Sequence, residues 1–146
     1  MEHCHLGCSV CHLWRLCILM ITNSLQSLDL SYNKLQGSIP RSISRLVNLT
    51  VLHLSSNNLS IMLGFEMFSR EFLNSIDNLK SLKHLALPNC NFTGSIPAWL
   101  GNFTKLTYLD LSYNSFNGEI LLALLNFRSF WLTYQTNNFL IIGEYF

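Results

Sequence analysis

Tyrosine, histidine and aspartate side chains recur at fixed places relative to a set of regularly spaced leucines. Tyrosine and histidine rings offer a large contact area together with a hydrogen-bonding group, and a carboxylate attracts a cation. Such side chains are typical of surfaces that recognise a ligand, because a tyrosine loses little conformational entropy when it is fixed. The candidate ligand-binding residues are Tyr32, His53, His84, Tyr108, Asp110 and Tyr113.

The same residue types form no recognisable catalytic set. The sequence contains no Gly-x-Ser-x-Gly elbow, no His-Glu-x-x-His pair and no Gly-x-x-x-x-Gly-Lys-Ser/Thr loop for phosphate. We therefore assign no catalytic residue, expect no cofactor, and interpret the chain as a binding protein and not an enzyme.

The N-terminal segment is rich in potential metal ligands. It holds four of the five cysteines and three of the five histidines of the chain. Thiolate and imidazole are the usual ligands of zinc, so Cys4, Cys8 and Cys11 could bind a metal with the neighbouring histidines. However, their C-x3-C-x2-C spacing matches no paired zinc pattern. We expect no metal site here, and the segment stays unassigned.

An internal repeat positions the candidate residues. Residues 106–120 repeat residues 25–39 in the same order of apolar, polar and glycine positions. An asparagine follows the strand pattern of each repeat, at Asn33, Asn57 and Asn114, and Cys90 replaces it once. These turn positions recur after 24, 33 and again 24 residues. This spacing gives four clear repeats and a degraded fifth, and it predicts an insertion within residues 60–78.

Each repeat predicts one short strand, a turn, and a return, which is the segment that leads back to the start of the next strand. Leu109-Asp-Leu111 and its equivalents alternate apolar and polar residues, as in a strand with one buried face. One coil cannot bury its own leucines, so the coils must stack. We expect an α/β solenoid: a right-handed superhelix with a parallel sheet on its concave face and irregular or short helical returns.

Two segments depart from the repeat. Phenylalanines recur at three- and four-residue intervals in the insertion, which predicts an amphipathic helix on the convex side, with a flexible loop as the alternative. In the degraded C-terminal repeat either Asn137 or Asn138 occupies the position of the turn asparagine. We favour Asn137.

The repeated string L-x-x-L-x-L-x-x-N-x-L-x-G-x-I-P resembles the plant extracellular leucine-rich repeat, and residues 94–103 match its second half closely. Residues 87–94, and a longer repeat containing Glu-Met-Phe-Ser at 66–69, are similar to the ectodomains of plant receptor-like proteins. The resemblance covers residues 24–139. It implies a leucine-rich repeat fold and the perception of a protein, peptide or glycan ligand, often in defence.

The resemblance also implies a co-receptor kinase as a partner and an extracellular or plasma-membrane-associated location. The sequence shows no apolar run long enough to span a membrane and no convincing signal peptide. We divide the chain into an N-terminal segment, 1–22, and a leucine-rich repeat domain, 23–146, of four to five repeats. Neither end shows a recognisable cap, so we expect a section of a longer ectodomain.

Two other interpretations stay open. The first is a soluble inhibitor of a secreted hydrolase, and the second is a truncated gene product without independent activity. A nucleic-acid partner is not expected, because the formal charge is +1, only 12% of the residues are charged, and the cations are scattered.

Two alternatives also apply to the surface residues. The candidate ligand-binding residues lie beside the buried leucines and should face the concave side, but the recurring Asp and Ser-Tyr could serve only strand and turn stability. Four Asn-x-Ser/Thr motifs predict N-glycosylation in a secreted protein, although a repeat rich in these residues also generates such motifs by chance. The predicted acceptors are Asn48, Asn58, Asn91 and Asn102.

Overall fold

The computed structural model describes residues 3–5, 24–37, 39, 41–59, 79–96, 98–119 and 131–140. Short strands dominate this part of the chain, with two 3₁₀ helices between them. The strands are β1 (His3–His5), β2 (Ser27–Asp29), β3 (Gln36–Gly37), β4 (Val51–His53), β5 (Asn58–Leu59), β6 (His84–Ala86), β7 (Thr93–Ser95), β8 (Tyr108–Asp110), β9 (Ser115–Glu119), β10 (Trp131–Thr133) and β11 (Asn138–Leu140). The helices are Arg41–Arg45 and Ala98–Asn102.

The main sheet is parallel and has the order β1-β2-β4-β6-β8-β10. Its strands are in strict register, so that the central leucines of β2, β4, β6, β8 and β10 face one another in a row. Leu28 and Leu109 in this row are completely buried. The strand-by-strand stacking expected from the repeat is therefore confirmed.

The two returns that the structure describes, after β3 and after β7, contain short helices, as predicted. Each of the two 3₁₀ helices follows a proline, and small parallel sheets β3-β5 and β11-β9-β7 form on the far side of the turns. Gly118 in β9 has φ +77°, and a Cβ there would lie 3.4 Å from the Cβ of Ser95. Glycine is suited to this position because it reaches positive φ without steric cost.

One continuous apolar core lies between the main sheet and the returns. It contains leucines from every complete described coil, together with Phe92 and Phe116, whose ring centroids are 5.8 Å apart. Leu132 in β10 is only partly buried and packs against the core from the side. Stacked coils thus bury the leucines that a single coil could not.

The N-terminal segment contributes a strand that the sequence analysis left unassigned. β1 pairs in parallel with β2, with Cys4 opposite Leu28. Cys4 precedes Leu28 by 24 residues, which is the repeat period. The periodicity therefore extends further towards the N-terminus than the leucines alone indicate.

The prediction of Asn137 as the turn asparagine is confirmed by its hydrogen bonds. Its side-chain amide donates to the carbonyls of Leu111 and Tyr134, at 2.8 and 3.0 Å, and its carbonyl oxygen accepts from the N–H of Phe116 at 3.0 Å. The insertion at 60–78 and its predicted helix lie outside the described residues, as does most of the 1–22 segment.

Candidate ligand-binding face

Buried asparagines fix the turns that follow β4 and β8. Asn114 donates to the carbonyls of Leu87 and Leu111, at 2.8 and 3.0 Å, while its own carbonyl oxygen accepts from the N–H groups of Cys90 and Phe92, both at 3.1 Å. One side chain thereby joins two successive coils. Buried backbone groups need such partners, so the asparagine sets where the surface residues next to it emerge.

Asn57 makes a similar set of contacts two repeats earlier. Its amide donates to the carbonyls of Leu30 and Leu54, at 2.9 and 2.8 Å, and its oxygen accepts from the N–H of Leu35 at 3.1 Å. Asn57 therefore joins the coils of β2 and β4 and holds the turn after β4.

Cys90 replaces the asparagine in one repeat and is inert in the folded chain. It is fully buried, and its thiol lies 3.0 Å from the carbonyl oxygen of Leu54, to which it donates. Burial raises the pKa of the Cys90 thiol to about 11, with smaller opposing effects from backbone hydrogen bonds. A thiol held in its neutral form and out of contact with solvent is not a nucleophile.

The residue before the turn asparagine or cysteine adopts a left-handed conformation in every described coil. Because side chains with a Cβ disfavour this region, the turn imposes it at a cost of roughly 1–2 kcal/mol per residue. Tyr32 and Tyr113 occupy two of these positions and are 84% and 58% exposed. The set, with φ between +53° and +59°, is Tyr32, Ser56, Asn89, Tyr113 and Thr136.

A row of aromatic rings crosses the exposed face of the main sheet, the concave face of the solenoid. His84 in β6 pairs in register with Tyr108 in β8, and their ring centroids are 5.8 Å apart. Trp131 in β10 is the next residue in the row and is 81% exposed. We call His84, Tyr108 and Trp131 the aromatic row.

A second row on the same face carries the carboxylates. Asp110 lies two residues beyond Tyr108, whose hydroxyl donates to Asp110 Oδ2 at 3.4 Å. Asp110 Oδ1 accepts from both the N–H and the hydroxyl of Ser112. The carboxylate therefore stabilises the turn with one oxygen while the other lies beside the aromatic row.

Asp29 and His53 form a separate pair in the second row. His53 Nδ1 lies 3.9 Å from Asp29 Oδ2, and Asp29 Oδ1 accepts from the N–H of Ser31 at 2.9 Å. Ala86, which is buried, stands between His53 and Asp110 in register. Both aspartates therefore stabilise a turn through a hydrogen bond to the backbone. Both also reach the concave face.

The six residues predicted to bind a ligand do not form one cluster. His84, Tyr108 and Asp110 are brought together, and His53 pairs instead with Asp29. Tyr32 and Tyr113 share one turn position but are separated by three strand spacings, about 14 Å.

Trp131 is a candidate binding residue on this face that the sequence analysis did not predict. The signal was present, because choosing Asn137 as the turn asparagine aligns Leu132 with Leu109 and hence Trp131 with Tyr108. The degraded repeat around it concealed this alignment.

Within the described residues, no three side chains of His, Cys, Asp or Glu lie close enough to hold a metal ion. No helix in the same ranges is long and apolar enough to cross a membrane. All four predicted glycan acceptors are exposed to solvent: Asn48, Asn58, Asn91 and Asn102.

Models of the leucine rich repeat family match most of the chain, at residues 18–59, 48–79, 81–103 and 104–125. Among curated proteins, Receptor-like protein 35 of Arabidopsis thaliana is 48% identical over 123 residues, which are 83% of this chain and 13% of that protein. The chain thus spans only about an eighth of the length of this relative.

Solved structures show the same relationship. The plant peptide hormone receptor RGFR1 in complex with RGF2 is 38% identical, with a TM-score of 0.65, over 80% of this chain and 18% of that one. The Arabidopsis receptor kinase HAESA, in complex with the peptide hormone IDA and the co-receptor SERK1, is 30% identical, with a TM-score of 0.64, over 79% and 18%.

These relatives do not favour the hydrolase-inhibitor alternative. They agree with the repeat pattern, the parallel sheet and the asparagine turns, which are those of a leucine-rich repeat array. The chain belongs to the leucine-rich repeat family, and its repeats are those of the plant receptor-like proteins.

Proposed function

We propose that the concave face of this chain binds a peptide or a protein segment, and that the chain acts by binding and not by catalysis. The observation that carries the proposal is the aromatic row, since His84, Tyr108 and Trp131 stand in register on neighbouring strands. Exposed aromatic side chains fixed on a rigid scaffold are frequent energetic centres of recognition. The peptide-bound receptors with a similar fold support this choice of ligand class.

The chemistry of the two rows favours a particular kind of peptide. The aromatic row offers ring faces to an apolar side chain, and Val51 extends it on the next strand. The carboxylates of Asp29 and Asp110 lie two residues further along the strands and attract a cationic side chain. A segment carrying both an apolar and a basic residue fits this face best.

Tyr32 and Tyr113 flank the face at the turns. Both are well exposed, so they can add contact area at the edge of a bound segment. Their separation of three strand spacings matches a ligand that crosses several strands, rather than one held in a single pocket.

Phage-displayed random linear peptides selected on the chain provide the test. Replacing Tyr108 and Trp131 together by alanine should weaken the selected peptides at least about tenfold, since aromatic centres contribute 2 kcal/mol or more. Lys105→Ala, an exposed change in the turn before β8, is the control and should have little effect. Equal binding to all three proteins would refute the proposal, and circular dichroism verifies that each is folded.

The location and the second partner are part of the same proposal. We place the chain outside the plasma membrane, with a co-receptor kinase as further partner, on the strength of the receptor-like relatives and of the SERK1 co-receptor in the HAESA complex. The exposure of Asn48, Asn58, Asn91 and Asn102 supports glycosylation at these acceptors. Protein made in plant cells should lose mass on glycosidase treatment, and an unchanged mass would contradict this location.

A further inference from the structure

A groove with a volume of about 580 Å³ runs along the edge where the main-sheet strands end. Its lining extends from Asn33, which follows β2, to Thr136, which follows β10. These two strands are four strand spacings apart, about 19 Å. The groove is therefore long enough for a short oligomer. It lies beside the concave face and not on it.

The lining consists almost entirely of amides and hydroxyls. Of its twelve residues, six are asparagine and one is glutamine, and the remainder are two serines, a threonine, Tyr113 and Lys34. No carboxylate and no aliphatic residue is among these twelve. An amide offers one acceptor oxygen and two N–H donors, which complement neighbouring hydroxyl groups that both donate and accept.

The turn asparagines and the remaining amides have different roles in the groove. Asn57 and Asn114 are buried and engaged with the backbone, so they form its floor. Asn58, Asn89 and Asn91 are exposed, and Asn89 is held in position by a 3.3 Å contact from its amide nitrogen to Ser56 Oγ. The exposed amides can exchange water for the hydroxyls of a ligand.

We propose that this groove binds a neutral oligosaccharide. A peptide would need apolar contacts that the lining does not offer, and a polyanion would need more cations than Lys34. The ring of Tyr113, which is more than half exposed, gives a sugar an apolar surface to stack on. A neutral oligosaccharide is rich in hydroxyls, uncharged and extended. It therefore matches the amide lining, the low charge and the length of the groove.

This site goes beyond the proposed function, because it uses a different surface and a different ligand class. The two surfaces share Tyr113 alone. Asn58 and Asn91 are also predicted glycan acceptors, so an N-glycan attached to the chain itself has the same neutral sugar chemistry and would cover the groove. A free oligosaccharide and the chain's own glycan are thus the two sources of ligand.

The test uses the full chain produced without glycosylation and titrated with cellotetraose by calorimetry. The variant combines Asn58→Ala with Asn89→Gly, because glycine accepts the φ of +53° at position 89. Saturable binding that falls at least about tenfold in this variant is expected, as two hydrogen-bonding amides are lost. The control is Asn117→Ala, an exposed amide in β9 outside the groove, which should bind like the wild type.

Three results would overturn the proposal: no saturable binding of cellotetraose, equal affinity in the double variant, or binding of tetragalacturonate alone, which would indicate recognition of charge by Lys34. Glycosylated protein from plant cells then distinguishes the two sources. Binding that appears only after glycosidase treatment supports occupancy by the chain's own glycan, whereas binding before treatment supports a free oligosaccharide. Neither result depends on peptide binding at the concave face.

Discussion

At the scale of single residues, the turn asparagines hold the coils together. Asn114→Ala leaves the N–H groups of Cys90 and Phe92 buried without their acceptor. Each such group costs about 1–3 kcal/mol, so the free energy of unfolding should fall by roughly 3 kcal/mol. Urea denaturation measures the loss. Asn117→Ala, at an exposed position, should stay within about 0.5 kcal/mol of the wild type, and equal effects of the two changes would contradict this role.

Cys90 should make the folded chain less stable as the pH rises into the alkaline range. Burial raises the pKa of the folded thiol from 9.0 to about 11, so the unfolded chain releases this proton first. The contribution of the neutral thiol is complete below pH 9 and is lost as the pH rises to about 11. The stability of the wild type should therefore fall more steeply over this range than that of Cys90→Ser. Parallel curves from urea denaturation would contradict the assigned pKa direction.

Residue types were easier to predict from the sequence than residue pairings. The repeat showed which side chains face the concave side, because strand periodicity fixes the face. It did not show that His53 pairs with Asp29, or that Tyr108 reaches Asp110, since these contacts depend on side-chain conformations. The register of the strands brings these groups near one another, and the rotamers then select the pairs.

At the scale of the elements, each strand is stabilised by its place in the stack. Leu109 in β8 has neighbours on both sides and no exposed surface, so Leu109→Ala should cost about 2–5 kcal/mol as a core cavity. Leu132 in β10 is only partly buried, and Leu132→Ala should cost about 1 kcal/mol. Thermal denaturation compares them. A smaller loss at position 109 than at 132 would overturn the core assignment.

The residue at the centre of each strand decided whether the sequence could predict that strand. Strands β2, β4, β6 and β8 have leucine at the central position and were evident from the pattern. In β1 a cysteine occupies that position, so the apolar signal was lost although the 24-residue spacing was kept. In β10 the repeat is one residue shorter than its predecessors, which concealed Trp131.

At the scale of the whole molecule, stacking converts separate short strands into two surfaces of different chemistry. The concave face carries aromatic rings and carboxylates, and the edge where the strands end carries amides. Neither surface exists within one repeat. The repeats predicted the stacked array. The separation of its surface into an aromatic and acidic face and an amide-lined edge became visible only from the register of the strands.

Binding of a peptide across the strands of the concave face can be observed residue by residue. The most direct measurement is an amide chemical-shift map of the labelled chain, titrated with a peptide selected from the phage library. The largest shifts are expected in β6, β8 and β10, around His84, Tyr108 and Trp131. Shifts confined to the 3₁₀ helices at 41–45 and 98–102, with the concave strands unaffected, would contradict it.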